Sequence, residues 1–75
     1  MTKHPVLSAR EIIHALKKIG FEIVRQKGSH VKLCKQIGNR KITTIIPNHK
    51  TVMPGTLKGI LELAEIKLDE FLDNL

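Results

Sequence analysis

Apolar residues recur at Ile12, Ile13, Leu16 and Ile19 with the spacing of a helix. Ser8-Ala9-Arg10-Glu11 ahead of them has the form of a capping box, in which Ser8 and Glu11 each satisfy a free backbone N–H. Gly20 can take the left-handed conformation that stops a helix. The pattern therefore predicts an amphipathic helix over residues 9–19, with Arg10, Lys17 and Lys18 off its apolar stripe. The period then changes. Residues 21–26 are rich in β-branched side chains and partly alternate, which predicts a first strand. Lys27-Gly28-Ser29 makes a tight connection. Residues 30–36 alternate, with Val31 and Leu33 on one face and His30, Lys32 and Cys34 on the other. Gly38-Asn39-Arg40 is a hairpin turn, residues 41–46 form a third strand, and Pro47 ends it. A polar loop covers residues 48–53. Pro54-Gly55-Thr56 opens a second helix with a stripe of Leu57, Ile60, Leu61 and Ala64, and Leu68, Phe71, Leu72 and Leu75 predict one more short helical piece.

The order is helix, three strands, helix. Three antiparallel strands have one face for helices to cover, which makes a two-layer α+β fold with the opposite sheet face open. At 75 residues the chain reads as a single domain, residues 1–75. Its 41% of apolar residues fits a globular chain and excludes a disordered one. No apolar run is long enough to span a membrane. No apolar signal segment follows Met1, and the one cysteine, Cys34, cannot form an intrachain disulfide. Together these lead us to expect a cytoplasmic protein.

Charge adds a partner class. Thirteen Lys and Arg stand against seven Asp and Glu, for a net charge of +6. Residues 1–59 hold twelve basic and two acidic side chains, a net of +10, whereas residues 60–75 set Lys67 against five acids, a net of −4. Arg25, Lys27, Lys32, Lys35, Arg40, Lys41 and Lys50 cluster in the strand and loop region and would form an electrostatic platform for phosphates. Phe21 and Phe71 are the only aromatics, and both read as core, so there is no stacking ladder for single-stranded bases. Recognition would lean on backbone and shape.

Among candidate chemical groups, His30 stands out. It follows Gly28-Ser29, begins the second strand and shares a face with Lys32, about 6.6 Å away along the strand. The pattern admits a solvated histidine beside a turn, which is the commoner case, and an acid–base group. Cys34 is four residues further on, about 13 Å, too far for a Cys–His pair that needs about 3 Å. Ser29 reads as a turn residue. A Ser–His–acid triad lacks its acid, since Glu11 and Glu22 are the only carboxylates before residue 62. His4, His14, His30 and His49 show no ligand spacing, so no metal site is expected. His49, in the loop after the third strand, could reach the same region as His30.

Taken as an ordered set, Gly28-Ser29-His30 after a basic strand, Ile46-Pro47-Asn48-His49 at the end of the third strand and Pro54-Gly55-Thr56-Leu57 opening the last helix resemble the HicA toxins. The likeness runs from about Ser8 to Leu72. It implies a fold like the double-stranded RNA-binding domain, an mRNA interferase activity, and a HicB antitoxin that binds the toxin and occludes its site. The family's catalytic histidine falls on His30, and its helix-opening motif on Pro54, Gly55, Thr56 and Leu57. Two positions depart from the family pattern: Leu33 stands where an aromatic is common, and Lys67 where a small cap residue is often found.

The chemistry that this implies needs no cofactor. RNA carries its own nucleophile, the 2′-OH, which one histidine can deprotonate, or it can protonate the leaving 5′-oxygen. Lys32 and its neighbours could stabilise charge on the phosphorane. The expected RNA-binding set is Arg25, Lys27, Gly28, Ser29, Lys32, Lys35, His49 and Lys50, with mRNA and a HicB-like antitoxin as partners. The alternatives are a non-catalytic RNA-binding module of the double-stranded RNA-binding type, and a fold regulated by an acidic protein without any RNA chemistry.

Overall fold

The computed structural model describes residues 5–75. Its elements run α1 (Ala9–Ile19), β1 (Glu22–Lys27), β2 (His30–Ile37), β3 (Arg40–Pro47), α2 (Pro54–Ala64) and α3 (Leu68–Leu72). The strands form one antiparallel sheet in the order β1-β2-β3, with the helices on one face, as the sequence pattern predicts.

Local signals set the helix ends. The Ser8 hydroxyl accepts from the Glu11 N–H at 3.1 Å, and the Glu11 carboxylate accepts from the Ser8 N–H at 3.0 Å, so the capping box is complete. At the other end Gly20 sits at φ 115°. The N–H of Phe21 then donates to the Leu16 carbonyl at 3.0 Å. That bond ties Phe21 to the helix stop and turns its ring into the core, 2% exposed, so β1 begins one residue later than the pattern predicts. The β2–β3 turn needs only Gly38 and Asn39, with Gly38 at φ 57°. Both flanking strands therefore reach one residue further toward the turn than expected.

The core lies between the helices and the inward side of β2 and β3. Ile12, Leu16, Phe21, Val31, Leu33, Ile42, Ile46, Leu57 and Phe71 are its larger members. Thr44 is fully buried among them, and its hydroxyl donates to the Ile60 carbonyl at 2.8 Å, which removes the penalty of burying it unpaired. The loop before α2 also contributes. Val52 is 2% exposed and its N–H donates to the Leu7 carbonyl at 2.6 Å in an isolated bridge.

β1 is different. All six of its residues are exposed, and its register shifts between Ile23 and Arg25. As an edge strand it extends beyond the layer that the helices cover, and the bulge twists it further. Among the described residues, no helix is long and apolar enough to cross a membrane.

Candidate functional site

The register places side chains on the open face in cross-strand rows. Lys27 stands opposite His30, which stands opposite Pro47; Arg25 stands opposite Lys32, which stands opposite Ile45; Glu22 stands opposite Cys34, which stands opposite Thr43. Partners in such rows have Cα atoms about 4.5–5.5 Å apart. His30 thus has a lysine beside it on the neighbouring strand and another, Lys32, two residues along its own. All three are exposed. With Arg25 and Lys41, the face carries four cations against one carboxylate, Glu22.

Cys34 shares this face, as its alternation predicts, but it is only 8% exposed. Its short side chain lies low between longer neighbours, in the row of Glu22 and Thr43.

The turn that carries His30 is compact. Gly28 is at φ 57°, a left-handed conformation that a glycine adopts without a Cβ penalty. Ser29 Oγ stands 3.5 Å from His30 Nδ1, a long contact. Nε2 has no protein hydrogen-bond partner among the described residues, which leaves that nitrogen open to a ligand. The Ser29 carbonyl accepts from the Asn48 N–H at 2.6 Å, which fastens the turn to the loop after β3.

That loop is held on its far side too. The His49 carbonyl accepts from the Ala9 N–H at 3.0 Å, so residues 48–50 lie against the start of α1. Ser8, Arg10, Asn48, His49 and Lys50 line a shallow hollow of about 250 Å³ there. His49 and Lys50, expected near His30, line this hollow, which His30 itself does not line; it is reached from the His30 row through Pro47 and Asn48 along the chain. Arg10 and Asn48 join them. The sequence pattern singles out neither for this place, because a meeting of Ser8–Arg10 with Asn48–Lys50 is made by the fold and leaves no periodic trace.

Lys35 does not join the open face. Its register partner is the core residue Ile42, so it points to the helix side. Its Nζ stands 6.0 Å from the centroid of the Phe21 ring, and its stem covers Gly20. Alternation itself dictates this, since Lys35 has the parity of Val31 and Leu33. Arg40 is also engaged elsewhere: its guanidinium meets the Glu65 carboxylate at 2.6 Å, across to the end of α2. The other late acids lie in the helical layer, with Glu62 on α2 and Asp69 and Glu70 on α3, away from the cationic face.

His14 is exposed on the outer side of α1 and lines a separate hollow with Arg10, Glu11, Ile13 and Lys17. His4 lies outside the described residues. Among the described residues, no group of three or more His, Cys, Asp or Glu side chains converges. Pro54 occupies the first turn of α2, behind Met53, which offers no side-chain cap. The Pro-Gly-Thr-Leu run thus starts that helix through the fixed φ of proline and the buried Leu57.

A family model described as the HicA toxin of bacterial toxin–antitoxin matches residues 9–66, from the start of α1 to just beyond α2. No curated protein matches the chain.

Proposed function

This chain belongs to the HicA toxin family of toxin–antitoxin systems, and from that premise we propose that it is an endoribonuclease that cleaves mRNA with His30 as its catalytic residue. The observation that carries this reading is the row Lys27–His30 on an uncovered sheet face. A histidine with no core role, one ring nitrogen free and ammonium groups on two sides is suited to work on a phosphodiester.

The reaction uses the 2′-hydroxyl of the substrate. The 2′-oxygen bonds to phosphorus, the bond from phosphorus to the 5′-oxygen breaks, and the proton passes from the former to the latter. His30 serves at one of these two oxygens, as base or as acid. Lys27 and Lys32 lie where negative charge builds on the phosphorane, and preorganised cations at that point lower the barrier. The products are a 2′,3′-cyclic phosphate and a 5′-hydroxyl. DNA lacks the nucleophile and is not cut. No cofactor takes part.

Arg25, Lys27 and Lys32, with the Gly28-Ser29 turn, hold the backbone of the RNA on the open face. Lys35 is omitted from this set because it lies on the other side of the sheet. An antitoxin partner goes with the family; we take it to be HicB-like and to cover the same face. The chain acts as one domain and works in the cytoplasm, where its mRNA substrate is. The test is to incubate purified protein with RNA in the presence of a chelator. Cleavage to cyclic-phosphate ends by the native protein, with none by His30→Ala, supports the reading; equal cleavage by both overturns it.

A further inference from the structure

The hollow beside the start of α1 is lined by polar and basic side chains. Of its five lining residues, Arg10 and Lys50 are cationic, Ser8, Asn48 and His49 carry polar side chains, and none is a carboxylate. Glu11, the nearest acid in sequence, does not line it, and its carboxylate is engaged by the Ser8 N–H and hydroxyl in the capping box. Arg40–Glu65 is the one ion pair among the described residues, so Arg10 and Lys50 have no acidic partner there. Of the backbone amides at the helix start, those of Ala9 and Glu11 are taken, by the His49 carbonyl and the Ser8 hydroxyl. Attraction at this place therefore comes mainly from the Arg10 and Lys50 side chains.

Position adds the second argument. Pro47 faces His30 across the sheet, and Asn48, the next residue, is bonded to the Ser29 carbonyl. One strand spacing and two residues of chain put the hollow on the order of 10 Å from His30. A strand of RNA whose scissile phosphate sits at His30 would carry a neighbouring phosphate past this opening.

We propose that the hollow formed by Arg10, Asn48, His49 and Lys50 is a second phosphate subsite, which grips the RNA strand beside the scissile bond. This rests on the reading of the chain as an RNA-cleaving toxin and deepens it. Arg10 and Lys50 supply charge, and the Asn48 and His49 side chains supply shorter hydrogen bonds. The subsite lets a small protein without stacking aromatics fix the strand in place, since two anchored phosphates set both position and direction.

The test uses a short fluorescein-labelled single-stranded RNA and His30→Ala protein, so that binding is read without cleavage. Arg10→Gln with Lys50→Gln is compared with Lys58→Gln with Lys67→Gln, which removes the same charge from the helical side. We expect the first pair to weaken binding about tenfold and to flatten the slope of log K on log salt by about 0.7 for each phosphate no longer neutralised. The control pair should do neither. Circular dichroism checks folding, and a 2′-O-methyl RNA repeats the measurement with His30 intact. Equal effects from the two pairs, or none from either, overturn the subsite. Cleavage of the unmodified RNA by native protein is read in parallel. Binding through the hollow without cleavage would sink the ribonuclease reading alone, whereas cleavage with a hollow pair that behaves like its control would sink the subsite alone.

Discussion

The Asn48 N–H donates to the Ser29 carbonyl oxygen at 2.6 Å, and through that bond the loop after β3 braces the turn from which His30 emerges. Turn geometry and His30 position should then be coupled. Gly28 and Gly38 offer a matched comparison, since both sit at φ 57° with open space where a Cβ would go. An alanine at either position costs about 1–2 kcal/mol from backbone strain alone. We expect Gly28→Ala and Gly38→Ala to lower thermal stability alike, while only Gly28→Ala lowers the rate of RNA cleavage. Equal activity in the two folded variants would separate the turn from the chemistry.

His30→Ala should abolish toxicity and leave the fold intact. The side chain is exposed and its one local hydrogen-bonding neighbour is the distant Ser29 hydroxyl, so its removal costs little packing. Acid–base groups contribute about 10²–10⁴ in rate. Growth after induction is compared for native and variant chains, with circular dichroism as control. A folded variant that still arrests growth would remove His30 from its role.

Much of this site is legible in the sequence because it lies on periodic elements. The alternation of residues 30–36 puts His30 and Lys32 on one face, and the capping box and Gly20 set both ends of α1. Two features are not legible in the same way. Treating the basic residues as one cluster ignores strand parity, and so groups Lys35 with Lys32 although alternation sets them on opposite faces. The hollow at Arg10 depends on the bond between Ala9 and His49 and on the Leu7–Val52 bridge. Those bonds join distant segments, and no local propensity encodes them. Glu65 is a third instance: it ends α2 at φ 57°, a position where glycine is usual, and its ion pair with Arg40 becomes visible only in three dimensions.

Thr44 gives a stability prediction away from the site. Its hydroxyl is fully buried and joins β3 to the Ile60 carbonyl of α2. Thr44→Val keeps the shape and deletes that bond. The deletion costs about 0.5–1.5 kcal/mol net, and in a domain of this size about 1 kcal/mol lowers Tm by about 4–8 °C. RNA cleavage per folded molecule should not change, since Thr44 faces away from the open side. Calorimetry and a cleavage assay below the transition check both parts; an unchanged Tm would mean that the bond adds nothing to the packing of β3 on α2.

The last prediction concerns the antitoxin. A partner that silences the proposed site must cover His30, and the surface around His30 is cationic, with Arg25, Lys27 and Lys32 on the open face and the late acids in the helical layer. Opposite charge on the partner would steer the encounter, so association should be fast and should slow as salt rises. The position of Lys35 makes the test sharper. Lys32→Glu and Lys35→Glu change net charge by the same amount and lie three residues apart in sequence, yet they sit on opposite faces of the sheet. Lys32→Glu should slow association by about tenfold or more. Lys35→Glu should act only through net charge, as a reversal on the helical side would. Binding should also raise Tm, because the partner takes only the folded state. Association rates of the two variants with the co-expressed antitoxin decide the matter. A larger effect at Lys35 would put the partner on the helical side and leave His30 uncovered in the complex.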